Sequence, residues 1–286
     1  MTEIFEIASP DDAALDVVFL HGLDGDARKS WSSGGDDSFW PLWLAQDVER
    51  IAVWSVDYDA WSSGWRGRSM SIPDRAINVL ALLQNHEIGR RPICFVAHSM
   101  GGLLVKEMLL HASEAGTAYS AVAEMTKGVV FLATPHTGSG TAKAVRALGS
   151  VYRGTPAVED LVRNEPHLRQ LNDRYRDWLD YRAIRTLAFF ETQATGGLRV
   201  VDESSANPGI AKVRPIPVDA NHVSICKPVS RRDVVYGQIR RFIAGLLDGQ
   251  VNHPQSAGRH VAVDGANYGV IVTGDGNVID PKRLDP

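Results

Sequence analysis

Cysteine is scarce in this chain: of 286 residues only Cys94 and Cys226 carry a thiol. With Cys94 inside an apolar run, that number excludes a disulfide-stapled scaffold. An excess of positive charge is missing too. Thirty Lys and Arg stand against 34 Asp and Glu, for a formal net charge of −4. Nothing here offers the basic footprint that nucleic acid needs. No apolar run approaches the roughly 20 residues required to span a bilayer. The opening residues Met1 to Glu6 have neither the basic nor the apolar segment of a secretory leader. These absences read together as a cytoplasmic protein in a reducing compartment. No spacing of His, Cys and carboxylates resembles a metal-ligand set, and no cofactor is expected. What remains is an ordinary globular composition, 44% apolar and 22% charged. The length suits one large α/β domain with a short appendage.

The most informative stretch runs from Pro92 to Leu110. An apolar strand-like run ends at Ala97. The turn Ala97-His98-Ser99-Met100-Gly101-Gly102 follows, then the helix-forming Leu103 to Leu110. Strand, tight turn and helix form the context of a nucleophile elbow, with Ser99 raised above the sheet edge. Small residues at 97, 101 and 102 let the strand and helix backbones approach. The alternative, a serine that only caps a helix, accounts for neither these flanks nor the signals that follow in order.

Elsewhere, Leu15 to Leu20, Ile51 to Val56, Gly128 to Thr134, Thr186 to Phe190 and Val213 to Val218 read as strands. Several are near-continuous apolar runs, as expected of parallel strands covered on both faces. Helical patterns alternate with them, which predicts a mostly parallel central sheet with helices on both faces. Residues 139–185 break the rhythm and predict a small helical cap inserted over the sheet edge. The domain proper is expected over 1–248. The segment 249–286 reads as a linker and a tail rich in Gly, Val and Asn, with short β-prone runs separated by turns. Six of the seven tryptophans lie between Trp31 and Trp65. Trp40, Trp43 and Trp54 sit in apolar patterns and read as packing. Trp61 and Trp65 lie in a polar loop and are candidates for the mouth of a site.

A serine hydroxyl needs a base to take its proton and an acid to orient that base. In this architecture the chain order is Ser, acid, His. His222 follows the last strand and is the expected base. The acid should follow the preceding strand, which favours Glu191. Asp202 and Asp219 stay open as alternatives, Asp219 being awkwardly close to His222 in sequence. Two backbone N–H groups should face the developing oxyanion, from Met100 directly after Ser99 and from Leu23 after His21-Gly22. His21, His98 and His136 are candidate substrate contacts, His136 with a structural role in its Pro/Gly turn as the stronger reading.

These pieces resemble the α/β-hydrolase superfamily. The motifs are Val18 to Leu23, Val53 to Tyr58, the elbow, Phe131-Leu132-Ala133-Thr134-Pro135-His136, Phe190-Glu191-Thr192 and His222 to Pro228. The pattern is similar to the lipase-like group of GPI inositol-deacylases and serine-active-site-containing proteins of lipid remodelling. The resemblance implies the α/β-hydrolase fold and a serine carboxylester hydrolase acting on a lipid or other hydrophobic ester, with transient contact at a membrane surface. Acyl transfer or thioester cleavage would use the same three residues. Similar domains also occur as effectors of NLR-type immune receptors, and residues 259–286 resemble the short assembly motifs of such systems. That implies self-assembly or an NLR-type partner through the tail, and an assembly module without catalysis as a further alternative.

Overall fold

A strand that is apolar on both sides has to be covered on both sides. In the computed structural model, which describes residues 2–58, 70–114, 116–136, 147 and 165–251, the order of elements shows how this is done. They run β1 (Glu3–Ala8), β2 (Leu15–Leu20), α1 (Trp40–Asp47), β3 (Ile51–Asp57), α2 (Ile72–Asn85), β4 (Ile93–His98), α3 (Met100–Ala112), α4 (Ser120–Met125) and β5 (Thr126–Leu132). Then come α5 (Glu165–Leu179), β6 (Arg185–Glu191), α6 (Glu203–Ala206), β7 (Ile216–Val218) and α7 (Val234–Val251). The sheet order is β1-β3-β2-β4-β5-β6-β7. Only β1 runs antiparallel, against β3; the remaining pairs are parallel. This is the α/β-hydrolase fold that the sequence predicts.

Every residue of β2 and β4 is buried. Full burial of each Val, Leu or Phe in such strands is worth about 1.5–3 kcal/mol, so these central strands carry much of the core. Asp16 is the exception in β2. Its carboxylate accepts from the Trp54 indole at 2.8 Å and from Arg91 at 3.0 Å. Burial still raises its pKa, against the pull of those two donors. The tryptophan-rich segment is core where it is described. Trp31 and Trp40 are fully buried and meet Phe19 edge-on, with centroids 5.1 and 4.9 Å away. Trp61 and Trp65 lie outside the described residues.

The structure adds one strand to the expected set and shortens another. Strand β1 was not legible, because its residues are mixed and half exposed on the outer edge. The strand read at Val213 to Val218 shrinks to Ile216–Val218. Pro215 and Pro217 cannot donate to a ladder, so the segment serves only as a short edge strand against β6. The cap expected over 139–185 is described chiefly at its carboxyl end. Its described end, α5, is the crossover that joins β5 to β6, burying Leu171, Tyr175 and Leu179 in the core. The rest of the insertion, apart from Ala147, lies outside the described residues. The chain divides into two units, Met1–Gln250 and Val251–Pro286. The tail from residue 252 onward, including 259–286, also lies outside the described residues. No helix among the described residues is long and apolar enough to cross a membrane.

Candidate active site

All parallel strands deliver their carboxyl ends to one edge, where an open α/β sheet holds its ligands. At the end of β4 the chain turns sharply into α3. Ser99 takes φ 51° and ψ −120°, a conformation that side chains other than glycine rarely adopt. Such strain persists only where the surroundings over-determine it. They do so here. The Ser99 amide continues the ladder to the Leu132 carbonyl at 2.9 Å. The helix behind it presses on β2: a Cβ at Gly101 would lie 2.5 Å from the carbonyl oxygens of both Leu20 and His21. A Cβ at Gly102 would run into the Thr134 side chain. Gly101 is therefore required by backbone approach and Gly102 by the Thr134 side chain.

The base arrives from the far end of the sheet. The Ser99 hydroxyl lies 2.9 Å from His222 Nε2. On the other side of the ring, Nδ1 is 3.3 Å from Glu191 Oε1. That is an ion-pair distance, longer than a well-aligned hydrogen bond; such contacts are often loose before substrate binds. Ser99, His222 and Glu191 are all buried. Glu191 is held by the Val201 amide, which donates to Oε1 at 2.6 Å. The His222 backbone is pinned twice: its N–H donates to Thr195 Oγ1 at 3.0 Å, and its carbonyl accepts from His98 Nε2 at 2.8 Å. The loop after it is held by Trp40, whose indole donates to the Cys226 carbonyl at 2.9 Å.

The competing acids are engaged elsewhere. Asp202 caps α6, accepting from the Ser205 amide at 2.9 Å within a reciprocal capping box. Asp219 is exposed and accepts from the Gln193 side chain at 2.9 Å. Glu191 is the carboxylate beside His222. Leu23 and Met100, the expected amide donors, are both buried. Met100 opens α3, where the first N–H groups have no partner within the helix. The turn before Leu23 packs tightly on the elbow, since a Cβ at Gly22 would lie 2.9 Å from both Ser99 Cβ and His98 Nδ1.

The three further histidines hold the scaffold. His21 is fully buried, stacks on Tyr58 at 4.3 Å and faces Asp57 at 3.3 Å. His98 donates to the backbone of His222, and burial lowers its pKa well below the ordinary imidazole value, aided by the neighbouring His222. His136 is buried, with Nδ1 2.6 Å from Lys106 Nζ. Both cysteines are free and buried; burial raises the Cys226 thiol pKa to about 12. Sequence reasoning missed Thr195, Val201 and Lys106. Thr195 acts through its hydroxyl on the His222 amide and Val201 through its amide on Glu191, contacts between distant residues that left no pattern. Lys106 did leave one, as the single cation, beside Glu107, in the run Leu103 to Leu110.

Comparison with known proteins agrees with this architecture. The model of the Alpha/beta hydrolase family matches residues 17–274. Protein SERAC1 of Mus musculus is 35% identical over 257 residues, covering 81% of this chain and 39% of that protein. Protein SERAC1 of Danio rerio is 34% identical over 264 residues, covering 82% and 39%. The chain thus spans 39% of the length of these relatives. Among solved structures, the lipase BlEst2 of Bacillus licheniformis superposes with a TM-score of 0.57 at 20% identity, covering 85% of this chain and 97% of that one. The putative non-heme bromoperoxidase BpoC of Mycobacterium tuberculosis gives 0.56 at 15% identity, covering 86% and 96%. At those identities the likeness is one of fold.

Proposed function

We propose, from the premise that this chain belongs to the alpha/beta hydrolase family, that it is a serine hydrolase of carboxylic esters. One observation carries the reading: a strained serine 2.9 Å from an imidazole whose far nitrogen faces a buried carboxylate. Ser99 Oγ attacks the acyl carbon as His222 Nε2 takes the hydroxyl proton. The developing oxyanion sits between the Leu23 and Met100 amides, each such donor being worth roughly 10²-fold in turnover. The C–O bond to the alcohol then breaks, and His222 returns its proton to the leaving oxygen. Water repeats the sequence on the acyl-enzyme and releases the acid. Glu191 keeps the ring oriented and balances the imidazolium.

A lipid or other hydrophobic ester is the substrate class implied by the resemblance to the lipid-remodelling group. An alcohol or thiol replacing water would turn the same three residues to acyl transfer, and product analysis with added acceptors separates the two. Recruitment of further copies or of an NLR-type partner through residues 259–286 belongs to the same proposal, and a tail deletion tests it. The primary test is labelling by a fluorophosphonate, together with hydrolysis of p-nitrophenyl esters of graded chain length. Wild-type protein should react in both and Ser99→Ala in neither. Folded wild-type protein that reacts in neither assay would overturn the reading.

A further inference from the structure

Lys106 occupies a place where a lysine is costly. It lies on α3, seven residues after Ser99, and is fully buried. A lysine so placed either finds partners or loses its charge. Lys106 does find partners. Its Nζ donates to His136 Nδ1 at 2.6 Å and to Asn172 Oδ1 at 2.7 Å. The rings of Phe131 and Tyr175 face it at 5.5 and 5.4 Å. Burial lowers its pKa well below the ordinary lysine value, opposed by the Asp173 carboxylate on α5. Burial and the adjacent Lys106 likewise keep His136 neutral, so Nδ1 is free to accept.

Both partners of Lys106 reach the same loop. The His136 amide donates to the Ser205 carbonyl at 2.6 Å. The Asn172 amide donates to the Pro208 carbonyl at 3.3 Å. Ser205 is locked to Asp202 by the capping box, and Val201, one residue earlier, donates to Glu191 Oε1. The 201–208 loop is therefore anchored at three points: on Glu191, on His136 and on Asn172. Lys106 joins the last two to α3, the helix that follows Ser99.

We propose that Lys106, with His136 and Asn172, is a positioning cluster that ties the Ser99 helix to the loop holding Glu191, and so sets how the acid meets His222. The inference rests on the function proposed above for Ser99, His222 and Glu191. It concerns residues that do not touch the reacting atoms, and its effect must pass through Glu191.

Two measurements test it on the whole chain. The first is the rate of fluorophosphonate labelling in a double-mutant cycle of Lys106→Met with Glu191→Gln. Methionine keeps the length of the side chain and drops its donors. Lys106→Met should label on the order of tenfold more slowly, and should add nothing once Glu191→Gln is present. His136→Leu should behave like Lys106→Met. His136→Asn, which keeps an acceptor near the Nδ1 position, should restore most of the rate. The second measurement is hydrogen–deuterium exchange, which needs no turnover. Lys106→Met should raise exchange at residues 200–206 while leaving β4 and β5 protected. Unchanged exchange at 200–206 would overturn the proposal. So would slowing factors that multiply in the cycle, or a rise in exchange spread across the whole sheet. A wild type that fails to label would remove the proposed function, and the exchange result would still decide whether the cluster holds the loop.

Discussion

Two arms of the molecule meet at the candidate site, and they are built differently. The arm that bears Ser99 is β4, the turn and α3. Every residue of β4 is buried, as is every residue of α3 from Met100 to Leu110. Its geometry follows from backbone contact: ladder bonds, glycine-sized approaches and a left-handed serine. The arm that bears Glu191 and His222 is β6, β7 and their loops. Strand β7 has three residues, all of them partly or fully exposed. Here the geometry depends on single hydrogen bonds: from the Val201 amide to Glu191, from His222 N–H to Thr195 and from His98 to the His222 carbonyl. The first arm is rigid because nothing else fits. The second is held by a few bonds that can be removed one at a time.

The comparison can be broken most severely at the elbow. Gly101→Ala puts a methyl against the carbonyl oxygens of Leu20 and His21 and should cost roughly 3 kcal/mol of stability, with ester hydrolysis falling as the elbow shifts. A denaturant midpoint close to wild type would show that α3 can move and that the first arm is softer than described. On the second arm, Glu191→Gln leaves the fold intact and should lower turnover by about 10²–10⁴-fold. Asp202→Asn and Asp219→Asn should each change it by less than about threefold, because their carboxylates serve a cap and a surface contact. Equal losses at all three positions would point to another acid. Thr195→Val removes one support of the His222 backbone and should cost a few-fold in kcat with little change in KM, on the scale of one hydrogen bond of about 1 kcal/mol.

The smallest effect concerns pH and sharpens the comparison. His98 on the first arm and His136 in the Lys106 cluster are both held neutral by burial, with folded pKa values well below the ordinary 6.5. Below about pH 6.5 the unfolded chain therefore binds protons that the folded chain refuses, and stability falls as pH falls. Above that pH these two groups contribute no slope. The urea midpoint should drop between pH 7 and pH 5, and His136→Asn should flatten the drop without abolishing it. A midpoint independent of pH across that window would mean that both rings take up a proton without cost.

How far the site was legible follows the same division. The elbow could be read because strand, turn and helix are contiguous, and because its small residues answer a steric demand visible in sequence. Placing His222 relied on chain order alone. Glu191 had to compete with Asp202 and Asp219, since sequence shows carboxylates near the right strand ends but not where they point. The edge strands were misjudged for a common reason: an edge strand is half solvated and lacks the apolar run that marks a central one. At β7 the prolines shortened it further.

By itself the sequence determined the central strands and the conformation of Ser99, since apolar continuity and glycine-sized gaps are local properties. The choice among three acids, the engagement of His21, His98 and His136 in the scaffold, and the burial of Lys106 were decided by tertiary structure. Each of those depends on which distant backbone group comes within about 3 Å of a side chain, and that distance is a product of how the chain packs.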